Sequence, residues 1–321
     1  MNRPTVTRAR ALGTLAATLP ALAIASPVRA QTPPLKLRLG AVAADTYGEF
    51  YYALDANSFA KAGFDVEITT FTNGAAMAAA AAGGSIDAGT GDVVATVNAI
   101  GHGVPFALLA GGGLYTSSVP TTLLCVAKNA PIANAKGLEG QTVAVVSLVS
   151  LSSAAVKAWI TAGGGDIAKV KFVELPFSQM GAAVARGTVA AALIAEPALT
   201  AASADVQTLG KAYDAVAPEF LISIVFANRD WVAKNPDASK RFVRVLYDMA
   251  KVANAHPEAT APILAKYTKL DLDHIHAMKR SQYATALVPA QLQPVLDIAA
   301  KYKVLDRTFN AADLIAGKAI A

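Results

Sequence analysis

Cysteine and long apolar segments are both scarce in this chain. Cys125 is the only cysteine among 321 residues, so a disulfide framework is excluded. It lies in a β-like run from Thr121 to Val126, a setting typical of a buried, inert thiol. After Ala30 no apolar run approaches the ~20 residues that a membrane-spanning helix needs. The hydrophobic content of 54% is rich in alanine and indicates closely packed helices.

The motifs of common enzyme classes are also missing. There is no Walker loop, zincin helix, CxxC pair or nucleophile elbow. The run from Gly89 to Val94 lacks the third glycine of a dinucleotide fingerprint. His274 and His276 are two residues apart, so on a helix they do not share a face that could hold a metal. We therefore expect no catalytic residues, no metal and no cofactor.

The first thirty residues have the features of a cleavable signal peptide. Arginines at positions 3, 8 and 10 precede an apolar core from Ala11 to Ala25, and small residues precede a cleavage point after Ala30. A membrane anchor is disfavoured because the core is short and Pro20 interrupts it. Removing four arginines lowers the formal charge from +5 to +1, which gives no reason to expect nucleic-acid binding. We expect a soluble periplasmic protein with no lipid anchor.

Two segments about 100 residues apart are similar. Phe71 to Ala88 and Phe177 to Ala191 each contain a polar turn, an alanine-rich helix and a small apolar strand. This spacing is too long for a solenoid repeat and suits one α/β lobe built twice, with a cleft between the copies. Strands alternate with helices in both halves, which predicts parallel sheets.

These patterns predict an α/β fold of two lobes joined by two hinge strands, with a helical C-terminal tail packed on lobe 1. Lobe 1 would comprise residues 31–125 and 226–321, and lobe 2 residues 126–225. The hinge strands would be Leu123–Ala127 and Phe220–Phe226. Thr46 and Glu49 match a capping box for a first helix ending at Ala62. The tail helices would cover residues 238–255, 257–266, 272–279 and 289–302, with Asn310 capping a last one.

In parallel α/β sheets a ligand binds beyond the carboxyl ends of the strands. Six loops meet this condition, and each starts a helix whose free N–H groups face the cleft. The candidate ligand-binding residues are Asp45, Thr46, Tyr47, Thr72, Asn73, Thr90, Asp92, Ser147, Ser150, Phe177, Ser178 and Glu196.

Each candidate also has a purely structural interpretation. Thr46, Asn73, Asp92, Ser150 and Ser178 are ordinary N-cap residues. The aromatic rings at positions 47 and 177 could belong to the core, and the acid at position 196 could cap its own helix.

The six loops contain three acids and neither lysine nor arginine. An anionic ligand would therefore be held by helix ends and hydroxyls alone. A ligand with a donor group, such as an amine or a heterocyclic N–H, would suit Glu196. Neutral or zwitterionic ligands fit the charge pattern at least as well as a simple anion.

Several stretches resemble the periplasmic substrate-binding proteins of ABC importers, in the sulfonate/nitrate/taurine and thiamine-pyrimidine-precursor (NMT1/THI5-like) group. They are Phe71–Ala76, Gly103–Phe106, Leu138–Ala144, Glu174–Ser178, Glu196–Pro197 and Asn254–His256. The resemblance extends from about Leu35 to Leu305. It implies the bilobal type II binding-protein fold, with a small organic solute (sulfonate-like, aromatic or pyrimidine-type) captured between the lobes and delivered to a membrane permease and its ATPase by a monomeric protein.

In sulfonate binders of this group the acid group is held by the helix starts that here carry Asn73, Thr90–Asp92 and Ser147–Ser152. Glu196 argues against a plain inorganic anion such as nitrate. An alternative is an enzyme similar to the related pyrimidine-precursor synthases, which need a cysteine cluster that Cys125 alone does not supply. A regulator's effector lobe would need an N-terminal DNA-binding helix pair, which this sequence lacks.

Overall fold

The structure is a computed structural model that describes Met1 and residues 33–317. The predicted signal peptide, apart from Met1, lies outside the described residues. The strands are β1 Leu35–Val42, β2 Phe64–Phe71, β3 Ala88–Asp92, β4 Phe106–Gly111, β5 Gly113–Thr116, β6 Thr122–Ala127, β7 Thr142–Val145, β8 Lys171–Glu174, β9 Ala191–Ala195, β10 Val206–Gly210, β11 Glu219–Leu221, β12 Ser223–Asn228 and β13 Gln282–Tyr283.

Helices follow most of the parallel strands and make up the C-terminal tail. They are α1 Glu49–Asp55, α2 Ser58–Lys61, α3 Gly74–Ala82, α4 Val93–Gly101, α5 Leu151–Ala162, α6 Phe177–Ala185, α7 Ala198–Ala201, α8 Arg229–Lys234, α9 Pro236–Ala255, α10 Pro257–Thr268, α11 Leu272–Ala277, α12 Pro289–Lys301 and α13 Ala311–Ile315. Short 3-10 turns cover Asp45–Tyr47, Ala135–Leu138, Ile167–Lys169 and Ala212–Ala215.

Two five-stranded sheets have the same internal order, which confirms the predicted duplication. The first is β2-β1-β3-β12-β4 and the second, read from its other edge, is β8-β7-β9-β6-β10. In each sheet the first three strands are parallel, and the last two are joined by antiparallel pairing. We call the first sheet with its helices lobe 1 and the second lobe 2. The carboxyl ends of β1, β2, β3 and of β7, β8, β9 supply the six loops identified in the sequence.

The chain passes between the two sheets through β5 and β11, which pair with each other in a small sheet of order β11-β5-β13. Phe220 lies opposite Tyr115 in this pair. The predicted hinge at Leu123–Ala127 is wrong, because those residues lie in β6, inside the second sheet. The predicted lobe boundaries at 125/126 and 225/226 fall within β6 and β12. We therefore propose boundaries between strands, near residues 117–121 and at Ile222.

The tail packs mainly on lobe 1. Phe242 of α9 contacts Phe50, Phe59 and Phe64 of lobe 1, with ring centroids 5.7–6.2 Å apart. Such aromatic clusters combine large apolar burial with favourable ring geometry. Helix α12 differs from the rest of the tail, since it contacts both α4 of lobe 1 and α5 of lobe 2. The predicted tail helices agree with the structure to within two residues at each end, and Asn310 caps α13 as expected.

The predicted first helix is wrong at its start and its middle. Thr46 lies in a 3-10 turn, α1 begins at Glu49, and no side-chain cap bond is made there. The helix is interrupted at Asn57, whose φ of 55° is left-handed, and α2 follows. The capping box fails because both of its side chains are buried in lobe 1 instead of closing a helix end. Among the described residues, no helix has the length and hydrophobicity to cross a bilayer.

Candidate functional site

The starts of four helices meet at a small cavity between the lobes. It is lined at the beginnings of α3, α4, α5 and α6, which follow β2, β3, β7 and β8. Asn73 and Ser150 cap α3 and α5, accepting from the N–H groups of Ala76 at 2.9 Å and Ser153 at 3.4 Å. The sequence predicted both caps. This inner cavity has a volume of about 10 Å³, room for about one water-sized group.

Asp92 connects the two lobes across the inner cavity. Its Oδ1 caps α4, accepting from the N–H of Ala95 at 2.9 Å. Both carboxylate oxygens also accept from the N–H of Leu151, the first residue of α5, at 3.1 and 3.2 Å. Burial raises the pKa of Asp92 to about 6, an effect partly offset by these hydrogen bonds. The carboxyl therefore remains mainly ionised at neutral pH, where it interacts with the positive ends of two helices.

Tyr47 contributes a hydroxyl group to the same cavity. Its side chain is 6% exposed and lines the cavity, and none of the hydrogen bonds among the described residues involves its hydroxyl. Burial raises the pKa of Tyr47, and the negative charges of Asp92 and Glu49 raise it further. The group therefore stays protonated and is available to a ligand as both donor and acceptor.

The loop that leads into α5 is held by hydrogen bonds within lobe 2. Ser150 Oγ donates to the carbonyl of Ser147 at 2.5 Å and lies 2.7 Å from Ser152 Oγ. Glu174, at the end of β8, accepts from Ser147 Oγ at 3.0 Å and from the N–H of Leu148 at 2.6 Å. Sequence reasoning did not assign Glu174 to the site, although it begins one of the stretches that carry the family resemblance.

A larger outer cavity of about 340 Å³ lies beside the inner one and shares Phe177 with it. Its wall is mostly apolar, with Ala43 and Ala44 from lobe 1 and Leu270 from the tail. Ser178 also lines it. The prediction that Ser178 caps α6 is wrong, because the helix begins one residue earlier, after Pro176, and Ser178 lies in its first turn.

Glu196 lines the outer cavity and also caps its own helix. Its carboxylate accepts from the N–H and the hydroxyl of Thr200, each at 3.0 Å. Burial raises the pKa of Glu196, and the bonds from Thr200 act in the opposite direction. Of the two interpretations left open by the sequence, capping is the one visible in the structure. The carboxyl also borders a further cavity whose lining includes Cys125 and Lys279.

Three candidate residues do not line either cavity. Asp45 is fully buried against Arg280, Thr46 lies 3.4 Å from the hydroxyl of Ser281, and Thr90 is fully buried. Asp45 and Thr46 pair with Arg280 and Ser281 of the tail, and the buried Thr90 hydroxyl has no hydrogen-bond partner among the described residues. Neither cavity therefore supports a ligand contact for these three, which stay predictions. The other nine, Tyr47, Thr72, Asn73, Asp92, Ser147, Ser150, Phe177, Ser178 and Glu196, all line the inner or the outer cavity.

The charged residues that line these two cavities are all acidic. They are Asp92 in the inner cavity and Glu196 and Asp205 in the outer one. Two like charges 4 Å apart repel by about 4 kcal/mol at an effective dielectric constant near 20. A helix start stabilises an anion by about 0.3–2 kcal/mol. The starts of α4 and α5 already donate to Asp92, and the attraction of the remaining two, α3 and α6, does not exceed this repulsion. Among the described residues there is no group of three or more histidine, cysteine or acidic side chains that could hold a metal.

The sequence model of the family described as NMT1/THI5 like matches residues 46–260, about two thirds of the chain. This chain belongs to the NMT1/THI5-like family. The match begins at residue 46, within the loop after β1, and it spans the other five strand-end loops and both β5 and β11. No match was found among curated proteins.

Solved structures similar to this NMT1/THI5-like chain include binding proteins and an enzyme. The periplasmic aliphatic sulphonate binding protein SsuA from Escherichia coli has a TM-score of 0.70 at 20% identity, with 88% of this chain and 97% of that chain covered. The periplasmic nitrate-binding protein NrtA from Synechocystis PCC 6803 has a TM-score of 0.74 at 15% identity, covering 89% and 86%. The desulfurization enzyme DSZB has a TM-score of 0.64 at 13% identity, covering 88% and 96%. At these identities the likeness establishes the bilobal binding-protein fold.

Proposed function

We propose that this protein is the solute-binding component of an ABC import system. It would capture a small organic solute between its lobes and deliver it to a membrane permease and its ATPase, acting as an exported, soluble monomer. The observation that carries the proposal is the convergence of strand ends and helix starts from both lobes on adjoining cavities. The outer cavity's volume of about 340 Å³ lies within the usual range for small-molecule sites.

The site offers little support for the alternative, an enzyme of the same fold. No cysteine, histidine or lysine is found among the described residues that line the inner and outer cavities. The thiol of Cys125 borders the further cavity, and burial raises its pKa to about 12, so it is not an activated nucleophile. These residues suit binding better than nucleophilic or general-base chemistry.

The proposal is tested by a thermal-shift screen of sulfonates, aromatic acids, amino compounds and pyrimidines, because a ligand of the native state raises the melting temperature. For the strongest hit, small-angle scattering should show a smaller radius of gyration with ligand than without it, since lobe closure compacts the protein. A saturating ligand that leaves the radius unchanged would argue against capture by closure.

The aromatic residue shared by the two cavities gives a specific prediction. Phe177→Ala should raise the Kd of the strongest hit by roughly tenfold or more, because the solute loses the apolar surface of the ring. Phe172→Ala is the matched control: it removes the same ring from the same lobe, at a half-buried position of β8 outside both cavity linings. Equal effects of the two substitutions on Kd would show that the solute does not bind in these cavities. Titration calorimetry measures both.

A further inference from the structure

We infer that Asp92 determines the charge class of the solute. Its carboxylate acts as a built-in anion at the start of α5 and restricts the solute group in the inner cavity to a neutral or cationic hydrogen-bond donor. The inference rests on the proposed solute-binding function and deepens it.

The position of Asp92 is the first reason. A free N–H at a helix start is where an external anion would bind. At α5 the N–H of Leu151 already donates to both oxygens of Asp92, and at α4 the N–H of Ala95 donates to Oδ1. An anionic group of the solute would have to displace a carboxylate that is covalently part of lobe 1. It would also have to remain close to that carboxylate's charge in a buried setting.

Tyr47 gives an independent indication that the inner cavity receives a polar group. The Tyr47 hydroxyl is not among the fully buried unpaired polar atoms, so it reaches the space of the cavity that its side chain lines. The hydroxyl of Tyr47 lines the cavity, its side chain is 6% exposed, and no described residue bonds to it. It can accept one hydrogen from a solute N–H group while the Asp92 carboxylate accepts another.

The outer cavity has the same charge preference, and its volume of about 340 Å³ limits the size of the solute. Glu196 and Asp205 are its charged residues, and no lysine, arginine or histidine is found among the described residues that line it. The basic residue Lys279 lines the further cavity, which Glu196 also borders. The apolar wall near Phe177 and Leu270 suits a hydrocarbon or ring body. The solute class is therefore an organic ammonium or neutral N–H donor with an apolar body.

The test uses sets of compounds that share one body and differ in the head group. Ammonium, amide and sulfonate versions of short alkyl and single-ring bodies are compared by thermal shift and calorimetry. The wild-type protein should prefer the ammonium or amide version of a body over its sulfonate by roughly tenfold or more in Kd. Asp92→Asn keeps an oxygen that can cap α4 but removes the charge, so it should reduce that preference by roughly tenfold.

The ratio of the sulfonate Kd to the ammonium or amide Kd separates a charge effect from damage to the fold. A purely structural role of Asp92 would weaken all head groups alike and leave the preference intact. Asp248→Asn removes one exposed negative charge from α9 and should leave the preference unchanged. A wild-type preference for sulfonates, or a ratio that Asp92→Asn does not alter, overturns the inference while leaving solute capture in place. Failure of every compound to bind overturns the proposed function and this inference with it.

Discussion

Asp45→Ala is expected to lower the free energy of unfolding by about 3–5 kcal/mol, because it leaves a buried charge without its counter-ion. The Asp45 carboxylate is fully buried and accepts from the Arg280 guanidinium at 3.0–3.2 Å. It also accepts from the hydroxyl of Tyr52 at 2.7 Å and from the N–H of Ser281 at 2.5 Å. The Arg280 side chain is only 12% exposed, so water cannot replace the lost partner.

The measurement is urea unfolding at constant pH, followed by circular dichroism. Asp55→Ala serves as the matched control, since Asp55 also pairs with a cation of the tail, Lys266, at 2.8 Å. That pair is exposed to solvent, and exposed pairs contribute little, so the control should unfold nearly as the wild type does. If the two variants lose the same stability, Asp45 does not anchor the tail to lobe 1.

Glu49→Gln is expected to remove a pH dependence of stability that the wild-type protein shows between about pH 4.5 and 8. The Glu49 side chain is 3% exposed, and its Oε2 has no hydrogen-bond partner among the described residues. Burial raises the pKa of Glu49 from 4.5 to about 8, and the nearby charge of Asp45 acts in the same direction. Over this interval the folded protein keeps a proton that the unfolded chain releases.

The sign follows from proton linkage. Because the unfolded state binds fewer protons, raising the pH favours unfolding, by about 1.4 kcal/mol per pH unit for one such group. The wild type should therefore lose stability relative to Glu49→Gln from pH 5 to 8, with the largest difference at pH 8. Glutamine imitates the protonated acid, so the variants should match near pH 5. Glu67→Gln, at an exposed position of β2, is the control and should follow the wild type. Parallel curves for wild type and Glu49→Gln would show that the carboxyl is not held neutral.

Features with local causes could be predicted from the sequence. Asn73, Asp92 and Ser150 were expected to cap helices and do so, because an N-cap bond spans only three residues. The six strand-end loops followed from the internal duplication, and nine of the twelve candidate residues line the cavities. Strand β4 also has a local cause, since its short apolar run lies between a proline turn and glycines.

Features with distant causes could not be predicted. Asp45 was assigned to the ligand because its partner Arg280 lies 235 residues away in the sequence. The match of Thr46 and Glu49 to a capping box failed because tertiary burial overrode a local preference. Strand β5 has only four residues, too few to show a period, so the first crossing between the lobes was missed. The second predicted hinge strand, Phe220–Phe226, overlaps the crossing strand β11.

The sheet order also has a consequence for how the chain folds. All five strands of lobe 2 lie in one continuous stretch, from Thr122 to Gly210. Lobe 1 is different, because β12 stands between β3 and β4, and in that sheet β4 pairs with β12 alone. Until residue 228 has emerged, the first lobe has an open edge at β3 and an unpaired strand. Lobe 2, which is synthesised second, can therefore complete its sheet before lobe 1 has all of its strands.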